Sequence, residues 1–204
     1  MTWRRQHIDG SDSQPVPPCK LNFGHLVEGL TCSDAPTGPM SLVMACIIYY
    51  CSLKTVVELG VCKGGTTVFL ANAVKENGGV LYAIDKNECH EARERLERLG
   101  LAAPYCYFLQ GKTNEVNWQG FVSGDWIDLL FIDAGHTYEE FKADWERWTP
   151  WVRSHGGWVF ADNAWDQIGV RNYLLELKAT QEFRDAWEYI CVPESYGMLI
   201  ARRK

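Results

Sequence analysis

Four acidic residues stand where short apolar runs stop: Glu58, Asp85, Asp133 and Asp162. The runs before them are rich in Val, Ile, Leu, Phe and Ala, as doubly covered strands of a parallel sheet are. In such a sheet the carboxyl ends lie along one edge, so the four carboxylates face one crevice. One acid alone caps a helix or makes a turn; four in succession at one edge point to a polar ligand. Asp133 and the pair Asp162-Asn163 offer three hard oxygen donors from neighbouring strand ends. That donor set suits Mg²⁺, which keeps water or substrate oxygens in its remaining positions. His136, three residues after Asp133, adds a group that titrates near neutral pH and can serve as a general base.

The first strand end opens into Glu58-Leu59-Gly60-Val61-Cys62-Lys63-Gly64-Gly65-Thr66-Thr67. Glycines at 60, 64 and 65 let the backbone turn and let a ligand approach closely. The helix that starts at Thr66 presents unpaired N–H groups. This is the outline of a nucleotide-like pocket, and Asp85, at the end of the second strand, is placed to accept hydrogen bonds from ribose hydroxyls. A dinucleotide site wants G-x-G-x-x-G with a pyrophosphate against the helix. Here the spacing is E-x-G-x-x-x-G, and an acid at that strand end repels a diphosphate. It suits a ligand that carries an ammonium and a sulfonium.

The elements that must position these groups alternate along the chain. Met40, Val43, Met44, Ile47 and Ile48 form a helical stripe leading into the sheet. The spacing then predicts strands at 55–59, 80–84, 105–109, 127–132 and 158–161, with helices at 66–75, 88–99 and about 170–178. A short helix is also expected around 114–122. Thr137-Tyr138-Glu139-Glu140 is a capping box for a helix whose inner face carries Phe141, Trp145 and Trp148. Two last strands, 187–192 and 198–201, are joined by a hairpin turn at Pro193–Gly197. The expected fold is α/β and Rossmann-like. It is a seven-stranded, mostly parallel sheet with helices on both faces and one antiparallel strand from the C-terminal hairpin. Residues 1–37, polar and marked by Pro15, Pro17 and Pro18, read as an N-terminal arm or cap, with a short helix near Phe23–Leu30. Residues 38–204 form the single domain.

Composition excludes several classes. The net charge of −6 and pI near 5.4 oppose nucleic-acid binding. No apolar run approaches the roughly 18 residues of a membrane span. The start lacks the apolar core of a secretory signal. The eight cysteines, at 19, 32, 46, 51, 62, 89, 106 and 191, include no CxxC and read as reduced thiols of a cytoplasmic protein. Cys62, inside the glycine loop, is the one placed for reactivity.

Glu58–Gly64, Ala83-Ile84-Asp85 and the strand order resemble a class I S-adenosylmethionine-dependent methyltransferase over residues 38–204. The resemblance implies that the glycine loop holds the methionine part, Asp85 the ribose, and Gln110-Gly111-Lys112-Thr113 the adenine side. It implies cofactor contacts from Glu58, Gly60, Lys63, Gly64, Thr66, Asp85, Lys86, Gly111, Lys112, Thr113 and Asp133. The Asp133 … Asp162-Asn163 arrangement is similar to the metal site of cation-dependent, catechol-type O-methyltransferases. The text Asp133-Ala134-Gly135-His136 is similar to the macrocin/mycinamicin sugar O-methyltransferase group, whose Asp-x-x-His element implies His136 as base where the catechol type has a lysine. Trp165, two residues beyond Asn163, is a candidate substrate wall beside His136.

The expected activity is Mg²⁺-dependent methyl transfer from S-adenosylmethionine to a hydroxyl of a small molecule, sugar-bearing or phenolic. Asp133 and His136 would be catalytic, and Asp133, Asp162 and Asn163 would hold the metal. Three rivals stay open: a metal-independent methyltransferase, a non-catalytic S-adenosylmethionine-binding protein, and a nicotinamide oxidoreductase, which the loop spacing disfavours. A homo-oligomer is compatible with the sequence; neither a nucleic acid nor a membrane is an expected partner.

Overall fold

The structure, a computed structural model, describes residues 38–117, 126–193 and 196–204. The expected arm at 1–37 and its short helix lie outside the described residues. So do most of the helix expected around 114–122, whose described part, 114–117, forms a turn, and the centre of the hairpin turn at 194–195.

Helix α1 (Pro39–Tyr50) begins with proline in its first turn, where the missing N–H is not needed, and buries Met40, Met44, Ala45 and Ile48. Strand β1 (Thr55–Leu59) leads to α2 (Gly65–Glu76), of which ten consecutive residues, Gly65–Val74, are buried. Strand β2 (Val80–Asp85), α3 (His90–Arg98) and β3 (Cys106–Gln110) follow. Then come β4 (Leu129–Ile132), wholly buried, and α4 (Tyr138–Trp148). Strand β5 (Trp158–Ala161) precedes α5 (Ile168–Ala179), α6 (Gln181–Ala186), β6 (Trp187–Val192) and β7 (Met198–Arg203).

The seven strands form one sheet in the order β3-β2-β1-β4-β5-β7-β6. All neighbours pair in parallel except at β7, which runs against β5 and β6. Two apolar layers cover the sheet. One unites α1, α2 and α3 with Val56, Leu81, Leu129 and Phe160; the other packs Phe141, Trp145, Trp148 and Phe183 against Val57, Leu59, Ile132 and Ala161. Trp148 is among the largest fully buried side chains, and truncating such a residue to alanine costs about 3–5 kcal/mol. Strand order reverses between β1 and β4, and at such a switch point helices diverge to opposite faces and open a crevice at the carboxyl edge.

Register decides what lines that edge. Leu59 lies level with Ile84 on one side and Ile132 on the other, and Ile132 lies level with Ala161. The next residue in each strand exit is therefore Gly60, Asp85, Asp133 and Asp162, side by side. Glu58 sits two residues deeper, level with Ala83 and Phe131, on the face that Val56 shares with α1 and α2 by strand alternation.

Candidate functional site

The glycine loop is built from both ends. Gly60 adopts φ +90°, and a Cβ there would fall 2.0 Å from the Asp133 carbonyl oxygen, so only glycine lets β1 and β4 exit this close together. Gly64 adopts φ +77° and lies against Ala92 of α3. Between them Asp85 acts as an anchor. Its Oδ2 accepts from the Val61 and Cys62 amides at 2.8 and 3.2 Å, and its Oδ1 accepts from the Asn87 amide and Nδ2 at 2.8 and 3.1 Å. Burial alone would raise the Asp85 carboxyl. The N–H groups of Asn87, Val61 and Cys62, with the Cys89 thiol, outweigh it and hold the group below its usual range. The expected ribose acid thus also bonds to N–H groups of its own chain.

Glu58 is 1% exposed and its Oε2 meets no protein hydrogen-bond donor. Burial pushes its carboxyl well up, the Thr67 hydroxyl opposes this, and the charges of Asp133 and Asp85 add to it. A cationic group beside an acid in that state would restore its charge.

Other expected cofactor residues divide. Thr66 is buried, with its hydroxyl 3.2 Å from that of Ser41 on α1, which places the start of α1 beside the loop. Lys63 is half-buried and Lys86 exposed. Beyond β3, Gly111 donates its amide to the Asp85 carbonyl, and Lys112 pairs with Glu115 at 3.0 Å on the surface. The Thr113 hydroxyl donates to Asp144 Oδ1, and its carbonyl accepts from Trp148 Nε1. Gly111, Lys112 and Thr113 stand at the carboxyl edge, yet the four groups just named bond to the protein itself.

The second group gathers around Asp133. His136 Nε2 lies 3.5 Å from Asp133 Oδ1; the histidine side chain is 45% exposed and the aspartate 19%. Burial raises the Asp133 carboxyl, the hydrogen bond and charge of His136 lower it, and Asp166 raises it, with a net upward shift. The bond to Asp133 raises the His136 imidazole, against burial, with further help from the charges of Asp133, Asp162 and Asp166. Asp162, 4% exposed, is pushed up to about 7, first by burial and then by the Asp133 charge. Asn163 is held at φ +60°, buried, with Oδ1 unpartnered and Nδ2 turned to Asp166 at 3.4 Å. Among the described residues no three His, Cys, Asp or Glu side chains converge as a metal cluster. The remaining donor in this set is the amide oxygen of Asn163.

Two contacts hold this half in place. The first turn of α5 presses on the His136 backbone, since a Cβ on Gly169 would lie 2.7 Å from the His136 carbonyl oxygen. The turn between β6 and β7 grips the segment after Asn163: Ala164 donates to the Gly197 carbonyl, while Trp165 and Asp166 donate to that of Tyr196. Trp165, 61% exposed, stands on this segment beside the half-exposed Tyr196 and the exposed Ile168.

The model of a methyltransferase domain matches residues 57–164, more than half of the chain. The chain belongs to the methyltransferase-domain family. Its fold is that of the class I S-adenosylmethionine-dependent methyltransferases. A candidate O-methyltransferase from Klebsiella pneumoniae superposes with a TM-score of 0.68 at 18% identity, covering 93% of this chain and 92% of that one. The cofactor-bound protein Rv0187 from MTB gives 0.67 at 18%, covering 81% and 80%. An rRNA methylase from Streptococcus thermophilus gives 0.62 at 16%, covering 83% and 96%. These similarities describe the methyltransferase fold, which hosts more than one acceptor chemistry.

Sequence reasoning missed Asp144 and Asp166. Asp144 had a signal: it occupies the inner stripe of α4 with Phe141, Trp145 and Trp148, an acid where an apolar residue belongs. Asp166 had none beyond its nearness to Asn163.

Proposed function

We propose that this methyltransferase moves a methyl group from S-adenosylmethionine to a hydroxyl of a small molecule, phenolic or sugar-bearing, with help from Mg²⁺. The observation that carries the reading is the contact between Gly60 and the Asp133 backbone. It puts the donor loop and the Asp133–His136 pair against each other on one edge.

The residues fit both absent groups. Gly60 and Gly64 form a cradle that a Cβ would fill, and Glu58 keeps an unpartnered buried oxygen for an ammonium. Asp133, Asp162 and the unpartnered Asn163 Oδ1 are hard oxygen donors of the kind Mg²⁺ takes. Burial and then the Asp133 charge raise Asp162, burial and the Asp166 charge raise Asp133, and a cation between these acids would relieve that repulsion. When bound, S-adenosylmethionine supplies an electrophilic methyl on sulfur, and Mg²⁺ lowers the pKa of an acceptor hydroxyl.

The chain supplies position and a base. With His136 Nε2 turned to Asp133, Nδ1 is the nitrogen left to take the acceptor proton. Asp133 orients the ring and stabilises it once protonated, as an acid behind a histidine base does. S-adenosylmethionine, held by the Gly60–Gly64 loop and Glu58, would supply the methyl to the acceptor oxygen, whose proton goes to His136 and whose bond replaces the carbon–sulfur bond. Holding both reactants on one rigid edge provides much of the acceleration. The net charge of −6 supports a small acceptor over a nucleic acid.

The test is methyl transfer from labelled S-adenosylmethionine to a panel of catechols, other phenols and glycosides, with and without EDTA. Turnover that EDTA stops and Mg²⁺ restores, and that His136→Ala abolishes while S-adenosylhomocysteine still binds, is the expected result. Activity that survives chelation would remove the metal role, and absence of S-adenosylhomocysteine binding would remove the reading.

A further inference from the structure

We propose that Asp144 is a positioning residue that ties the adenine-side segment after β3 to the Asp133–His136 loop after β4; the inference rests on the methyl-transfer reading above. Asp144 is 2% exposed on the inner face of α4. Thr113 Oγ1 donates to its Oδ1 at 2.5 Å, and the Gly135 amide donates to the same carboxylate. Two neighbours on the helix complete the clasp. Trp148 Nε1 donates to the Thr113 carbonyl at 3.0 Å, and Arg147 Nη2 donates to the Val116 carbonyl at 2.7 Å.

Residues 144, 147 and 148 lie at i, i+3 and i+4, on one helix face. One face of α4 therefore fixes Thr113–Val116 while its buried acid also fixes Gly135. Gly135 is itself pressed to the helix, since a Cβ there would lie 2.3 Å from Glu140 Cβ. Burial pushes the Asp144 carboxyl up to about 6, with the Thr113 bond opposing. A buried acid disfavours the fold unless it is fully bonded, and here its bonds go to loops from two different strands. One loop flanks the cofactor and the other carries the base, so Asp144 sets the spacing between donor and acceptor.

The test compares Thr113→Val, Thr113→Ser, Asp144→Asn and the double variant Asp144→Asn/Thr113→Val. The readouts are calorimetric S-adenosylhomocysteine affinity, the split between KM for S-adenosylmethionine and kcat, and circular dichroism. An amide oxygen at 144 can accept well from only one of the two donors. Each of Thr113→Val and Asp144→Asn should weaken S-adenosylhomocysteine by about tenfold, the scale of one lost buried hydrogen bond. Thr113→Ser should bind as the parent does, and the double variant no more weakly than Asp144→Asn alone. Parent affinity in both single variants, whatever their stability, overturns the proposal, as does simple additivity. Should Asp144→Asn fail to fold, Thr113→Val against Thr113→Ser carries the test, because both keep the acid. A parent protein that does not bind S-adenosylhomocysteine overturns the cofactor reading and this proposal with it; a binding parent with unaffected variants overturns the proposal alone.

Discussion

Asp85→Asn separates two roles for one carboxylate. The sequence casts Asp85 as a ribose acceptor, and the structure adds a second role, anchoring the glycine loop through four hydrogen bonds. An asparagine keeps one carbonyl oxygen and turns its amide NH₂ toward the other donor pair. Two bonds are lost, and two N–H groups then face a donor. Bonds to charged groups are worth about 1.5–3 kcal/mol, and Asp85 is only half-buried, so the net loss is placed at about 2–3 kcal/mol. For chains of this size that is a fall in Tm of roughly 4–12 °C. The assay is thermal unfolding without any ligand. The sign with pH follows from the depressed carboxyl. A native value below the unfolded one adds stability that is full above about pH 3.9 and is lost as pH falls through the native value. The gap between parent and variant should therefore hold at neutral pH and close in acid. A ligand-free Tm within about 1 °C of the parent, with S-adenosylhomocysteine binding weakened, would refute the anchor and leave Asp85 the ribose role alone.

Gly169→Ala drives a methyl group into the backbone of His136, Thr137 and Tyr138, where no side chain can swing aside. Turnover should fall by about 10–100-fold while S-adenosylhomocysteine affinity, measured by calorimetry, stays near the parent value. Asp162, pushed up to about 7, must lose its proton to take a cation. Apparent Mg²⁺ affinity, followed by titration calorimetry, should therefore drop by about tenfold per pH unit below that value; a flat profile would remove Asp162 from the ligand set. In the metal-free protein, NMR titration of His136 should give a value above the ordinary histidine 6.5, and Asp133→Asn should bring it down. Because the native value is raised, protonated His136 adds stability below about pH 6.5 that is lost as pH rises through the native value. Asp133→Asn should shrink that increment in thermal unfolding.

What the sequence makes legible is what periodicity and register control. The runs that end at Glu58, Asp85, Asp133 and Asp162 set strand ends, and parallel pairing then lines up their exits without further information. The capping box at Thr137 and Glu140 forms as the local pattern requires, and Trp145 and Trp148 lie in the core. Partners chosen by tertiary approach are not legible. Nothing local says that Asp85 will take the amides of Val61 and Cys62, more than twenty residues earlier. Nor does it say that the Thr113 hydroxyl will turn inward to a helix rather than outward to a ligand. Helix α6 escapes notice because its six residues are too few to show a 3.6-residue period, although Thr180 caps it through the Phe183 amide.

The grip of the β6–β7 turn on Ala164, Trp165 and Asp166 bears on how such a protein diversifies. The loop and anchor proposed to hold the methyl donor hang on β1 and β2, and the segment proposed for the adenine side follows β3. The segment that would meet the acceptor hangs on β5 and on the tip of a hairpin at the other end of the sheet. Only β4, through Asp133 and His136, belongs to both. Under the proposed function, substitutions at Tyr196 or Gly197 would reshape the acceptor side while the β1–β3 half keeps its geometry. On that reading, one acceptor would be exchanged for another in small steps that each leave the β1–β3 half intact.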